Sequence, residues 1–172
     1  MDSRLAINWK YFSLEQANRR TGEGRKIWEL PEDSPAPGLR AFRAAEAARC
    51  QGETVFSDFH MALLEEKHGR KSDIDDMKVI NRVAQRLELE MDRFREDFSH
   101  HQSLGRLAKE HTFAVEKLGI FGTPTLVFPD GQAIFLKMSP PPSPEESLAV
   151  FRELSNLACH RSNILEVKRP PG

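Results

Sequence analysis

The stretch Gly119-Ile120-Phe121-Gly122-Thr123-Pro124-Thr125 separates two parts of the chain with different hydrophobic periods, and this switch limits the fold more than any other feature. Before it, five helical patterns follow one another. Leu39 to Cys50 opens behind Pro37-Gly38, is rich in alanine and stops at Gly52. Val55 to Lys67 sets Phe56, Phe59, His60, Leu63 and Leu64 at helical spacing and ends at Gly69. Ile74 to Leu87 repeats Ile74, Met77, Ile80, Val83, Ala84 and Leu87 behind Ser72 and Asp73, either of which can cap it. Met91 to Phe98 offers Phe94 and Phe98 for burial, and Leu104 to Leu118 repeats Leu104, Leu107, Ala108, His111, Val115 and Leu118.

After Pro124 the period drops to two. Thr125 to Phe128 and Ala133 to Lys137 are β-rich runs around Pro129-Asp130-Gly131-Gln132, which predicts a hairpin. Pro140, Pro141, Pro142 and Pro144 form a stiff connector to a last helix, Pro144 to Ala158, whose first turn holds Glu145 and Glu146 where the helix dipole favours acids. Upstream of the helical block, Leu5 to Phe12 (LAINWKYF) alternates Leu5, Ile7, Trp9 and Tyr11 with Ala6, Asn8, Lys10 and Phe12, which predicts a strand. Ser13 to Pro37 is polar and rich in Gly and Pro, with an Ile27-Trp28 pair expected to anchor this loop to the body.

At 172 residues, 39% of them hydrophobic and 30% charged, the chain is sized for a single domain over residues 1–172, with a core that needs neither disulfide nor metal. A net charge of -1 gives no electrostatic reason for nucleic-acid or anionic-membrane binding, so small molecules and other proteins are the expected partners. Met1 to Lys10 holds no apolar signal core and no later stretch is long enough to span a bilayer, so a cytoplasmic location is expected.

The segment from Ala114 to Phe135, AVEKLGIFGTPTLVFPDGQAIF, resembles that of DsbA-like members of the thioredoxin superfamily. In that family a helical insertion ends at a glycine and a Gly-Thr-Pro-Thr type sequence follows, its proline cis and leading into an antiparallel hairpin. Pro124 matches this proline, and Thr123 and Thr125 match its neighbours. The resemblance implies that Thr123, Pro124 and Thr125 face the substrate, with the main chain of Thr123 against it. An X-Pro bond is the one peptide bond whose cis form costs little, about 0.5–1 kcal/mol, so the match has a physical basis. Tyr11 to Asn18 resembles the family's second strand and following loop, and residues 38–118 resemble its helical insertion. The implied fold is α/β: a thioredoxin-like sheet with a large helical insertion, its N-terminal strand-helix unit missing.

That missing unit carries the family's Cys-x-x-Cys turn. The only cysteines here, Cys50 and Cys159, are far apart and form neither that turn nor a zinc-ligand spacing. Without the turn there is neither an attacking thiolate nor the helix N-terminus that lowers its pKa. In the family the absent strand lies between the second strand and the hairpin, so its loss would leave a gap with two unpaired edges. A shortened chain or gene model is the favoured account, ahead of a rearranged sheet or a strand supplied by another chain.

Other residues are better explained by packing or solvation. Cys50 and Cys159 sit near helix ends where a small apolar residue would serve. His100-His101 with Glu96 and Asp97 could hold a metal, but adjacent residues at a helix end point in different directions, and none is expected. His60 and His111 fall on apolar helix faces. Trp9, Trp28, Phe121 and Phe128 are core candidates first and cleft-lining candidates second, while Arg25-Lys26 and Lys168-Arg169 are short solvated basic pairs.

Three functions stay open on the sequence. The first is a thiol-disulfide oxidoreductase of the DsbA-like class, inactive or truncated as the chain stands, acting on protein or small-molecule thiols and disulfides. The second is a glutathione-type transferase or isomerase, as in kappa-class glutathione transferases and hydroxychromene-carboxylate isomerases, using a low-molecular-weight thiol such as glutathione in place of a resident cofactor. The third is a non-catalytic fold that binds a peptide or another subunit, a homo-oligomer included, through its open edge.

Overall fold

The computed structural model describes residues 5–19, 24–31, 33–100 and 104–168. The chain forms two compact units, a helical unit over Met1–Lys117 and a second unit over Leu118–Gly172.

The helical unit is built around α2 (Leu39–Cys50), whose alanines let neighbouring helices approach closely. Ala41, Ala44, Ala47 and Ala48 meet Phe59 and Leu63 of α3 (Glu53–Leu64), Ile80 and Val83 of α4 (Met77–Arg86) and Phe94 and Phe98 of α5 (Met91–Ser99). A second cluster gathers Tyr11, Ile27, Leu39, Ala45 and Phe56 with Leu104 and Leu107, the latter on α6 (Gly105–Leu118). The loop before α2 adds a short α1 (Leu14–Asn18) and a single 3₁₀ turn, Ile27–Glu29, to a segment expected to be irregular. Ile27 is fully buried, as the anchoring pair required.

The first helical boundary to move is that of α3, which runs on as a π turn over Glu65–Gly69. The turn seals Glu66, a buried carboxylate that accepts from the Ser72 hydroxyl, Arg70 and Arg82, each at 2.9 Å. Ser72 is thus occupied with Glu66 rather than with a helix N-terminus, and Asp73 accepts from Asp75 N. Helix α4 therefore starts at Met77 and not at Ile74, capped by Asp76, which accepts from Lys78 N at 2.8 Å. Asp75 turns the other way and caps α2, accepting from Gly38 N and from Ala41 N.

Leu5 to Phe12 is a correction: this predicted strand is irregular. A strand persists only when its N–H and C=O groups find a ladder partner. Here side chains of α6 intercept them. Glu110 accepts from Tyr11 N at 2.8 Å and from Lys10 Nζ at 3.2 Å, and His111 Nδ1 accepts from Ser13 N at 3.2 Å. The alternation survives only near the packed end, where Tyr11 is buried and Trp9 half-buried while Leu5 and Ile7 are exposed.

The second unit is an antiparallel hairpin, β1 (Thr125–Val127) and β2 (Ala133–Phe135), followed by α7 (Pro144–His160). Pro129, Asp130 and Gly131 make the loop, Gly131 N donating to Phe128 O at 2.9 Å, and Gly131 takes φ 84°, which favours glycine. Ser143 caps α7 in a reciprocal box with Glu146, and Pro144 occupies its first turn. Helix α7 packs on β2, and Phe151 meets Phe128 with ring centroids 6.3 Å apart.

Candidate functional site

The hairpin's register determines which main-chain groups at Thr123-Pro124-Thr125 remain available. Leu136 N donates to Pro124 O at 3.0 Å and Phe128 N to Gln132 O at 2.8 Å. Antiparallel pairs alternate between bonded and non-bonded, so Leu126 and Ile134 form the bonded pair between these two. It follows that the N–H and C=O groups of Thr125 and Val127 point away from β2. The main chain of Thr123 also has no hydrogen-bond partner among the described residues. Among the described residues the outer edge of β1, with the segment leading into it from Thr123, is therefore unspent as far as Val127.

At the head of this edge the Thr123–Pro124 peptide bond is cis, as is Ser139–Pro140. The Thr125 hydroxyl donates to Gly122 O at 2.8 Å and closes the bend. Gly122 is buried under the Phe135 ring so closely that a Cβ would stand 3.0 Å from Cε2. Phe121, 73% exposed, lies against the same ring at 5.1 Å between centroids.

A cleft of about 450 Å³ opens beside Thr123 and Pro124, walled by Phe135, Leu136, Lys137, Met138 and Pro141. The wall was within reach of the sequence only to within one residue. A two-residue Asp130-Gly131 turn would pair Thr125 with Leu136, but the loop is the three residues Pro129-Asp130-Gly131, which puts Thr125 opposite Phe135 and Pro124 opposite Leu136. Pro141 had no such signal, because its position depends on the path of the chain beyond the hairpin. Thr123 and Pro124 thus line the cleft, and with Thr125 they begin an edge that is free among the described residues.

The cysteines occupy unfavourable places for thiol chemistry. Cys50 is the last residue of α2 and Cys159 the penultimate residue of α7, and helix C-termini disfavour a thiolate. Burial, then Asp97 and Glu46, pushes the Cys50 thiol up, and burial, then Asp130, does the same for Cys159. Disulfide attack needs the opposite shift.

Among the other candidates, His111 is buried against Phe12 and Trp28, and His60 lies between Phe56 and Trp9. Trp9 and Trp28 pack within the helical unit, while Phe121 is part of the Gly122 bend and Phe128 packs on Phe151. His100 is exposed beyond the end of α5; His101 and Arg169 lie outside the described residues. Among the described residues, no three His, Cys, Asp or Glu side chains gather as a metal site, and no helix is long and apolar enough to cross a membrane.

Compared with known proteins, residues 4–149 match the family model described as a DSBA-like thioredoxin domain. No curated protein matches the chain.

Proposed function

The chain belongs to the DsbA-like thioredoxin family, and from that premise we propose that it provides the substrate-facing half of a thiol-disulfide oxidoreductase site without providing the attacking thiol. The observation that carries this reading is the unspent edge of β1 from Thr123 to Val127 beside the Pro124 cleft. An extended peptide can add to such an edge through main-chain hydrogen bonds, with side chains entering neighbouring pockets. The Thr123 N–H and C=O would hold the peptide next to Pro124, and the cleft between Pro124 and Lys137 would take a side chain or a small thiol.

Exchange itself requires a thiolate that attacks a disulfide sulfur and forms a mixed disulfide. Cys50 and Cys159 have raised pKa values, so this chain alone should bind such substrates and not turn them over. Two measurements test this. In an insulin-reduction assay with dithiothreitol the chain should not exceed the uncatalysed rate. In an amide NMR titration an extended cysteine-containing peptide should shift Thr123, Thr125 and Val127, with glutathione as the small-thiol comparison. Insulin reduction that is lost on Cys50→Ser or Cys159→Ser would assign the attack to that thiol and overturn the reading.

A further inference from the structure

A separate cavity of about 640 Å³ is cut into the helical unit between α2, α4, α5 and the loop preceding α2. Met77, Phe94 and Phe98 give it an apolar lining. Arg40, Asn81, Arg95 and Asp33 give it a polar one. Arg40 is half-buried, yet its guanidinium has no hydrogen bond or ion pair among the described residues. Several arginines elsewhere in this unit are engaged, Arg49 with Glu46 and Glu53, Arg70 and Arg82 with Glu66, Arg106 with Glu46, whereas exposed Arg86 is, like Arg40, without such a partner among the described residues. The Asn81 amide is likewise unspent among the described residues, and Arg95 hydrogen-bonds there only to Asp92, at 3.0 Å.

The Arg40 guanidinium, whose donors no described residue takes up, is shaped to grip a carboxylate through two parallel bonds. Asp92 pairs with Arg95 and Asp33 is the lining's one carboxylate, so Arg40 is the cation left for a ligand, which suits a monoanion and penalises a dianion. The volume lies within the range of ordinary small-ligand pockets, and the apolar lining calls for a hydrocarbon or aromatic tail. We propose that this cavity binds a small amphipathic monocarboxylate, its head on Arg40 and the Asn81 amide and its tail on Met77, Phe94 and Phe98. The site is independent of the Pro124 edge, so its failure would leave the proposed function untouched.

The test is calorimetry and amide NMR on the full chain with octanoate, and with octanamide and octylamine as neutral and cationic counterparts. Octanoate should saturate, shifting amides of α2, α4 and α5, while the other two should bind at least about tenfold more weakly. Arg40→Met should weaken octanoate about 10- to 100-fold, the loss of a charge-assisted hydrogen bond, with the far-UV circular dichroism and Tm retained. Asn81→Asp, which places a second acid in the lining, should weaken it as well, and Arg40→Lys should recover part of the loss. Equal binding of octanoate and octanamide, or octanoate binding unchanged by both Arg40→Met and Asn81→Asp, would overturn the proposal.

Discussion

Gly122 shows how closely a single residue determines the bend before the hairpin. It is not needed here for an unusual φ; it is needed because the Phe135 ring lies where a Cβ would go, at 3.0 Å. Gly122→Ala should cost about 1–3 kcal/mol by overpacking, read as a lower Tm or faster hydrogen exchange in β1. Because the obstacle is a ring edge, Gly122→Ala combined with Phe135→Leu should recover most of that loss. If the double variant is as unstable as the sum of the singles, the contact is not the cause. This contact was half legible in advance: Gly122 could be picked out as part of Gly-Thr-Pro-Thr, but its neighbour depends on how the hairpin folds back.

At the level of elements, hairpin phase gives the sharpest expectation. Val127 N–H points to the open edge and Leu126 N–H to Ile134. Proline removes a donor, so it is tolerated on an edge and destructive within a ladder. Val127→Pro should leave the hairpin amides protected and weaken peptide addition at the edge, whereas Leu126→Pro should unravel β1 from β2. Equal damage from both, seen by NMR, would mean that the phase is wrong. The helices were the most legible elements because each carries its own 3.6-residue stripe. Their starts were less legible, since Asp75 and Asp76 compete for helix caps and only packing directs one to α2 and the other to α4.

For the molecule as a whole, pH separates the contributions of its buried groups. Burial, then Lys26, holds the His111 pKa below its ordinary 6.5, and burial, then Arg49, does the same for His60. His111 must also stay neutral at Nδ1 to accept from Ser13 N. The unfolded chain therefore binds more protons than the folded one once pH drops below about 6.5, and stability declines as acidity moves from there toward the folded pKa values. The Tm should fall between about pH 7 and pH 5, and His111→Asn, which keeps an acceptor near the Nδ1 position but cannot titrate, should flatten that fall. A variant as acid-sensitive as the parent would remove His111 from the account.

Features that depend on neighbours along the chain could be read from the sequence: the succession of helices, the Asp130-Gly131 hairpin, the capped last helix, the Gly-Thr-Pro-Thr segment and the absence of a Cys-x-x-Cys pair. Features that depend on competition for partners were settled only in the folded chain. Leu5 to Phe12 has a strand's alternation but takes no ladder, because Glu110 and His111 of α6 claim N–H groups at and just beyond its end. The edge of β1 and the Arg40 guanidinium, both without partners among the described residues, and the closure of Glu66 by three donors were equally out of reach, since a hydrogen-bonding group's partner is chosen by proximity in space and not by spacing along the chain.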